Sequence, residues 1–190
     1  MTASLPRRVA ARGGAVADLF ASSRPEEILR QANPWFILLT FLLGILANLA
    51  PGSGLLLVLR PDFLMLVILY WCIQEPRYVG VGVAWVLGLV MDVADATVFG
   101  QHALSYAVLA YAAEYFRRRV LRFPLWQQAP QVGSLLIACS ALVLLVRFVG
   151  GAPFPGWTYF LSPVVGALLW PLLSVLLQRP QRPTRAPNEL

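Results

Sequence analysis

The strongest constraint on this chain is a succession of apolar runs between Pro34 and Gln178, each closed by proline, glycine or arginine. The closing clusters are Pro51-Gly52-Ser53-Gly54, Arg60-Pro61-Asp62, Gln74-Glu75-Pro76-Arg77, Arg117-Arg118-Arg119 and Gly150-Gly151. Proline and glycine punctuate helices, and arginine beside an apolar run marks a membrane boundary. Charged residues make up 13% of the chain and hydrophobic ones 58%, with a mean hydropathy of +0.68. A soluble domain carries about 25% charged residues, so the balance points to the bilayer. The length suits one helical unit and is too short for two domains with an anchor. The expected fold is all-α: a polytopic membrane protein with six transmembrane helices.

The expected spans are about 34–50, 61–74, 78–93, 102–116, 131–149 and 157–178, between tails at 1–33 and 179–190. The first tail is polar and arginine-containing, without the apolar core of a cleavable signal peptide. Ser23 and Glu26 within it have capping-box spacing and predict a short lead-in helix. The second span is short, ~21 Å at 1.5 Å per residue against a ~30 Å hydrocarbon core. Either its neighbours shelter it or Leu55–Leu59 descends into the interface. In the third span Gly80, Ala84 and Gly88 recur every four residues, a packing groove that lets a neighbouring helix approach closely. Residues 120–130 read as an interfacial elbow with Trp126 at headgroup depth. Pro163 and Pro171 predict kinks in the sixth span, and the proline- and arginine-rich last tail is expected to be disordered.

Thirteen of the fifteen arginines lie in the two tails, the 74–77 turn and the 117–122 loop, leaving Arg60 and Arg147 for the other side. The positive-inside rule then puts both termini in the cytoplasm and Arg60, Asp62, Asp92 and Asp95 in the outer half. With the arginines at run ends, the net charge of +6 is a topology signal and not a nucleic-acid surface. Cys72 and Cys139 fall at different depths, which argues against a disulfide.

A carboxylate at bilayer depth costs roughly 2.5–3.5 kcal/mol on insertion scales, so Asp92 must serve a purpose. It is the next position of the Gly80–Ala84–Gly88 series and therefore faces protein. Arg60 is its expected partner in a polar lock that another protein can read. Asp62 competes for the same arginine or caps its own helix. Asp95 is assigned to a solvated turn and His102, the only histidine, to a helix start. Asp92, Asp95 and His102 have irregular spacing for a metal site, and Ser105 near His102 lacks an oxyanion donor or elbow motif. Glu114 and Arg118 form an expected i,i+4 surface pair. Arg117, Arg118 and Arg119 read as topology determinants and as a surface for anionic lipid or a cytoplasmic partner, and Trp126, Gln127 and Gln128 either cap helix ends or bind a partner; together they make a candidate cytoplasmic interface. No cofactor or catalytic set is indicated.

Five motifs then carry a resemblance. They are Arg60-Pro61-Asp62-Phe63 leading to Tyr70-Trp71, Gly88-Leu89 with Asp92, Gly100-Gln101-His102-Ala103-Leu104, Leu125-Trp126-Gln127-Gln128-Ala129 and Leu169-Trp170-Pro171. In order and spacing, over about residues 34–178, the chain resembles the bacterial rod shape-determining protein MreD family. The resemblance implies a non-enzymatic inner-membrane component of the cell-elongation machinery. It implies MreC as a partner and, through it, MreB, RodA and a class B penicillin-binding transpeptidase. It also implies a six-span fold similar to the substrate-binding subunits of energy-coupling-factor transporters. That likeness opens an alternative function, a small-molecule-binding subunit of a membrane transporter.

Overall fold

Ten consecutive side chains, Leu64 to Ile73, are buried, and the other helices are arranged around them. They belong to α2 (Phe63–Gln74) of a computed structural model that describes residues 33–178 apart from 53, 55–58 and 97–98. A helix that is apolar on every side has no face for a polar phase, so its neighbours must enclose it. α1 (Pro34–Leu49), α4 (Gln101–Val120) and α6 (Leu161–Gln178) pack on it directly. α3 (Val81–Ala94) packs on α4, and α5 (Leu125–Val149) packs on both α4 and α6. A 3-10 turn, Trp157–Phe160, leads into α6. Among the described residues every regular element is helical.

Successive helices run antiparallel, which gives the bundle two poles. The α1–α2, α3–α4 and α5–α6 connections meet at one, and the α2–α3 and α4–α5 connections at the other. Close approaches at glycine hold the layers together. A β-carbon on Gly44 of α1 would lie 3.2 Å from the Leu64 Cα of α2. In the core, the Trp71 indole N–H donates to Thr40 Oγ1 at 2.9 Å, and Thr40 donates in turn to the Ile37 carbonyl at 2.7 Å.

Much of the outer surface of the helices is apolar as well. Leu38, Leu39, Leu42, Leu43 and Leu46 of α1 are exposed, as are Trp85, Val86 and Val90 of α3. Water would oppose such a surface, and lipid favours it. Leu125–Val149 and Trp157–Gln178 are long and apolar enough to cross a membrane, while α1, α2 and α3 are apolar helices of 16, 12 and 14 residues. At 12 residues α2 is ~18 Å long. The burial of Leu64 to Ile73 matches the expectation that its neighbours shelter it.

Several expected boundaries are corrected. α5 begins at Leu125 and carries Pro130 inside it, so the expected elbow shrinks to the short connection 121–124. Proline is tolerated there because it removes a single N–H bond close to a helix start. α4 runs through the arginine run to Val120, since arginine is a good helix former and suits the negative end of the dipole. Pro163 lies in the first turn of α6, where no intrahelical N–H bond is lost, and Pro171 is interior. The Ser23–Glu26 lead-in helix, Leu55–Val58 and the 179–190 tail lie outside the described residues.

Candidate functional site

Asp92 stands in the last turn of α3, 1% exposed, and its carboxylate caps α4. Oδ2 accepts the Gly100 N–H at 2.8 Å and the Ala103 N–H at 3.4 Å, while Oδ1 accepts the His102 N–H at 2.7 Å. His102 Nδ1 lies 2.9 Å from Oδ1. All four contacts call for an acceptor, which a carboxylate supplies at a helix N-terminus, where the dipole favours negative charge. The local sequence explains why the cap comes from another helix. The N-cap of α4 is Gly100, which has no side chain and sits at φ 94°, a left-handed conformation that suits glycine. Gly88 allows the approach, because a β-carbon there would overlap the backbone of His102 and Ala103. Gly80, Ala84 and Gly88 therefore form a packing groove whose occupant is α4 of the same chain. Ala84 is fully buried and Gly80 faces the Glu114 side chain.

Asp62 caps its own helix and ties in two others. Its Oδ1 accepts the Met65 N–H at 2.9 Å and the Asn48 amide at 2.7 Å, and Oδ2 accepts the Tyr106 hydroxyl at 2.6 Å. Asn48 Oδ1 returns the contact by accepting the Phe63 N–H at 2.9 Å. α1, α2 and α4 thus meet on one carboxylate. The His102 and Tyr106 rings, 5.9 Å apart and edge-on, join this network to that of Asp92.

The expected Arg60–Asp92 pairing is corrected. Among the described residues no ion pair joins Arg60 to either aspartate; Arg60 Nη1 donates to the Ala50 carbonyl at 2.5 Å. The physical reason is that backbone N–H groups and His102 already surround Asp92. Asp95 is the C-cap of α3, its side chain 35% exposed, with Oδ2 4.0 Å from His102 Nε2. Arg60, Asp62, Asp95 and His102 line one wall system of a partly open cavity of about 360 Å³, closed by Ser140 of α5 and Tyr159 of the 3-10 turn.

At the other pole Arg117 is drawn inward. Its Nε donates to the Ile73 carbonyl at 2.5 Å and Nη2 to the Gln74 carbonyl at 3.4 Å, which caps the end of α2. Arg118 and Arg119 are exposed. Gln128 is buried, donating to the Phe123 carbonyl at 2.9 Å and accepting the Trp170 indole N–H at 3.1 Å. Trp126, 80% exposed, and Gln127 face outward. The expected cytoplasmic interface therefore splits into an inner structural pair, Arg117 and Gln128, and an outer set, Arg118, Arg119, Trp126 and Gln127. No ion pair forms between Glu114 and Arg118 among the described residues.

Sequence reasoning missed Asn48, Tyr106 and the Gln128–Trp170 contact. The signal available was polarity alone: each is a hydrogen-bonding side chain in an apolar run, and such groups need partners. Ser105, set beside His102 in a possible triad, donates instead to the Cys139 carbonyl at 3.2 Å. Among the described residues no group of three or more His, Cys, Asp or Glu is placed to hold a metal ion. Chemically, the arrangement fixes helix ends.

Comparison with known proteins supplies a family. The family model described as rod shape-determining protein MreD matches residues 29–180. The rod shape-determining protein MreD of Haemophilus influenzae is 32% identical over 151 residues, covering 78% of this chain and 92% of that protein. No solved structure gives a significant match, and the likeness to energy-coupling-factor subunits rests on the resemblance alone. A polar pole that fastens apolar helices, on a chain matched over most of its length, leads to one statement: the chain belongs to the MreD family of rod shape-determining membrane proteins.

Proposed function

We propose that this protein is a non-enzymatic membrane scaffold of the cell-elongation machinery, which binds MreC and helps position peptidoglycan synthesis so that rod shape is kept. The observation that carries this reading is the family match across residues 29–180. The geometry supports it, because Asp62, Asp92, Arg117 and Gln128 are engaged in holding helices together. In this reading all six helices cross the inner membrane with both termini in the cytoplasm. MreB, RodA and a class B penicillin-binding transpeptidase are reached through MreC. Since α4 fills the Gly80–Ala84–Gly88 groove, partner contacts fall on outward residues. Arg118, Arg119, Trp126 and Gln127 form the proposed cytoplasmic surface.

The test is co-purification of the full chain with MreC, combined with deletion of its gene. Deletion is expected to round the cells, and the tagged chain to retain MreC. Crosslinks from single cysteines placed along α1 and α3 then identify the helix that meets MreC. A chain that fails to retain MreC and whose loss leaves rod shape unchanged defeats the reading.

A further inference from the structure

We propose that the cavity between Arg60 and Asp95 is a binding site for a small zwitterion, an amino-acid-like or short-peptide ligand carrying both an ammonium and a carboxylate. Its volume of about 360 Å³ falls within the range of small-molecule sites, roughly 300–1,000 Å³. The case rests on which polar groups in its walls are already occupied. Asp62 already accepts three hydrogen bonds, from the Met65 N–H, the Asn48 amide and the Tyr106 hydroxyl. Asp92, behind the wall, is filled by α4. Two charged groups of the lining are less engaged, and they are of opposite sign.

The first is the guanidinium of Arg60. A guanidinium has five N–H donors in a fixed fork, and the hydrogen bond to the Ala50 carbonyl takes one of them. The Arg60 backbone carbonyl is held by the Ser162 hydroxyl at 2.9 Å, which anchors this residue to α6. The second is the Asp95 carboxylate, about a third exposed, with Oδ2 4.0 Å from His102 Nε2. His102 Nδ1 lies 2.9 Å from Asp92 Oδ1, which fixes the ring. An arginine and an available carboxylate thus line one cavity and do not pair with each other. Each is kept in place by its own backbone connections. A ligand with a carboxylate for Arg60 and an ammonium for Asp95 satisfies both, with the Ser140 and Tyr159 side chains beside it. This site is independent of which proteins the scaffold binds.

The experiment uses the full chain in detergent micelles and follows thermal unfolding by tryptophan fluorescence. The probes are single amino acids with acidic, basic and neutral side chains, and alanylalanine with its N-acetylated and C-amidated forms. Zinc and calcium chloride are run alongside. At least one zwitterion is expected to raise the unfolding temperature saturably, by about 5 °C at a hundred times its half-saturating concentration. Blocking either charged end removes the shift. Arg60→Gln abolishes the preference for a free carboxylate, and Asp95→Asn the preference for a free ammonium. The proposal is overturned if no zwitterion up to 10 mM, on the order of the weakest useful affinity, shifts the protein. It is equally overturned if blocked and free forms act alike, or if a metal chloride alone gives a shift that requires His102 and Asp95.

Discussion

The two poles of this bundle solve one problem with opposite chemistry. Where α2 and α4 begin, carboxylates accept N–H groups: Asp62 serves α2 and Asp92 serves α4. Where α2 ends, the guanidinium of Arg117 donates to the carbonyls of Ile73 and Gln74. Every helix leaves N–H groups unpaired at its start and carbonyls unpaired at its end. In water the solvent covers them; in an apolar medium another part of the chain must. A helix start takes an acid and a helix end takes a base, so the sign of each buried charge reports the direction of the helix it serves. The poles differ also in density. The Asp92 pole ties four helices through Asn48, Asp62, Asp92, His102 and Tyr106, whereas the Arg117 pole relies on two side chains, Arg117 and Gln128, with two hydrogen bonds each.

That difference sets an order of expected effects, read as unfolding free energies of the full chain in mixed micelles. Asp92→Ala strands three N–H groups and His102, and is expected to cost about 3–5 kcal/mol. Asp92→Asn keeps one acceptor oxygen and loses about half of that. A cost below ~1 kcal/mol for Asp92→Ala would erase the contrast between the poles. Gly88→Ala, which pushes α4 away from the cap, is expected to cost about 2–3 kcal/mol as an overpacked contact. Arg117→Met leaves the end of α2 uncapped for about 2 kcal/mol, and Arg117→Lys recovers part by keeping a donor. Protease cleavage in the 75–80 connection should rise with it. Tyr106→Phe removes one donor from Asp62 and costs about 1 kcal/mol. Gly82, nearer the Arg117 pole, has nothing within 4 Å of an added β-carbon. Gly82→Ala is therefore expected to stabilise by about 0.5–1 kcal/mol. Opposite signs for alanine at two glycines of α3 would show that packing, not helix propensity, decides the first.

Much of the fold was legible because burial in lipid constrains local composition. The period-four series Gly80, Ala84, Gly88 identified the face of α3 that meets a neighbour, and Asp92 as its continuation. The Asp62 alternative of capping its own helix was open from Pro61 alone, and the Met65 N–H contact resolves it. The partners were less legible. Arg60 and Asp92 looked like a pair because both are charged residues of one pole, yet pairing depends on geometry over a few ångströms. The Gly100 turn brings three backbone N–H groups onto Asp92 before Arg60 can reach it. Arg117 read as one of three equivalent arginines. Only its place on α4 turns it toward α2, while Arg118 and Arg119, one and two positions on, point away.

By itself, the sequence determined that the chain is helical and apolar, and that its charges gather at run ends. Hydropathy, proline and glycine act locally, so these properties need no knowledge of what lies across the bundle. The tertiary structure decided that α2 is the enclosed helix, that α4 fills the groove of α3, and that Asp62, Asp92 and Arg117 each cap a helix terminus. It also decided that Arg60 and Asp95 face a cavity without meeting. A hydrogen bond between residues 44 apart, such as Tyr106 to Asp62, depends on where two helices cross. That crossing is set by the packing of all of them together.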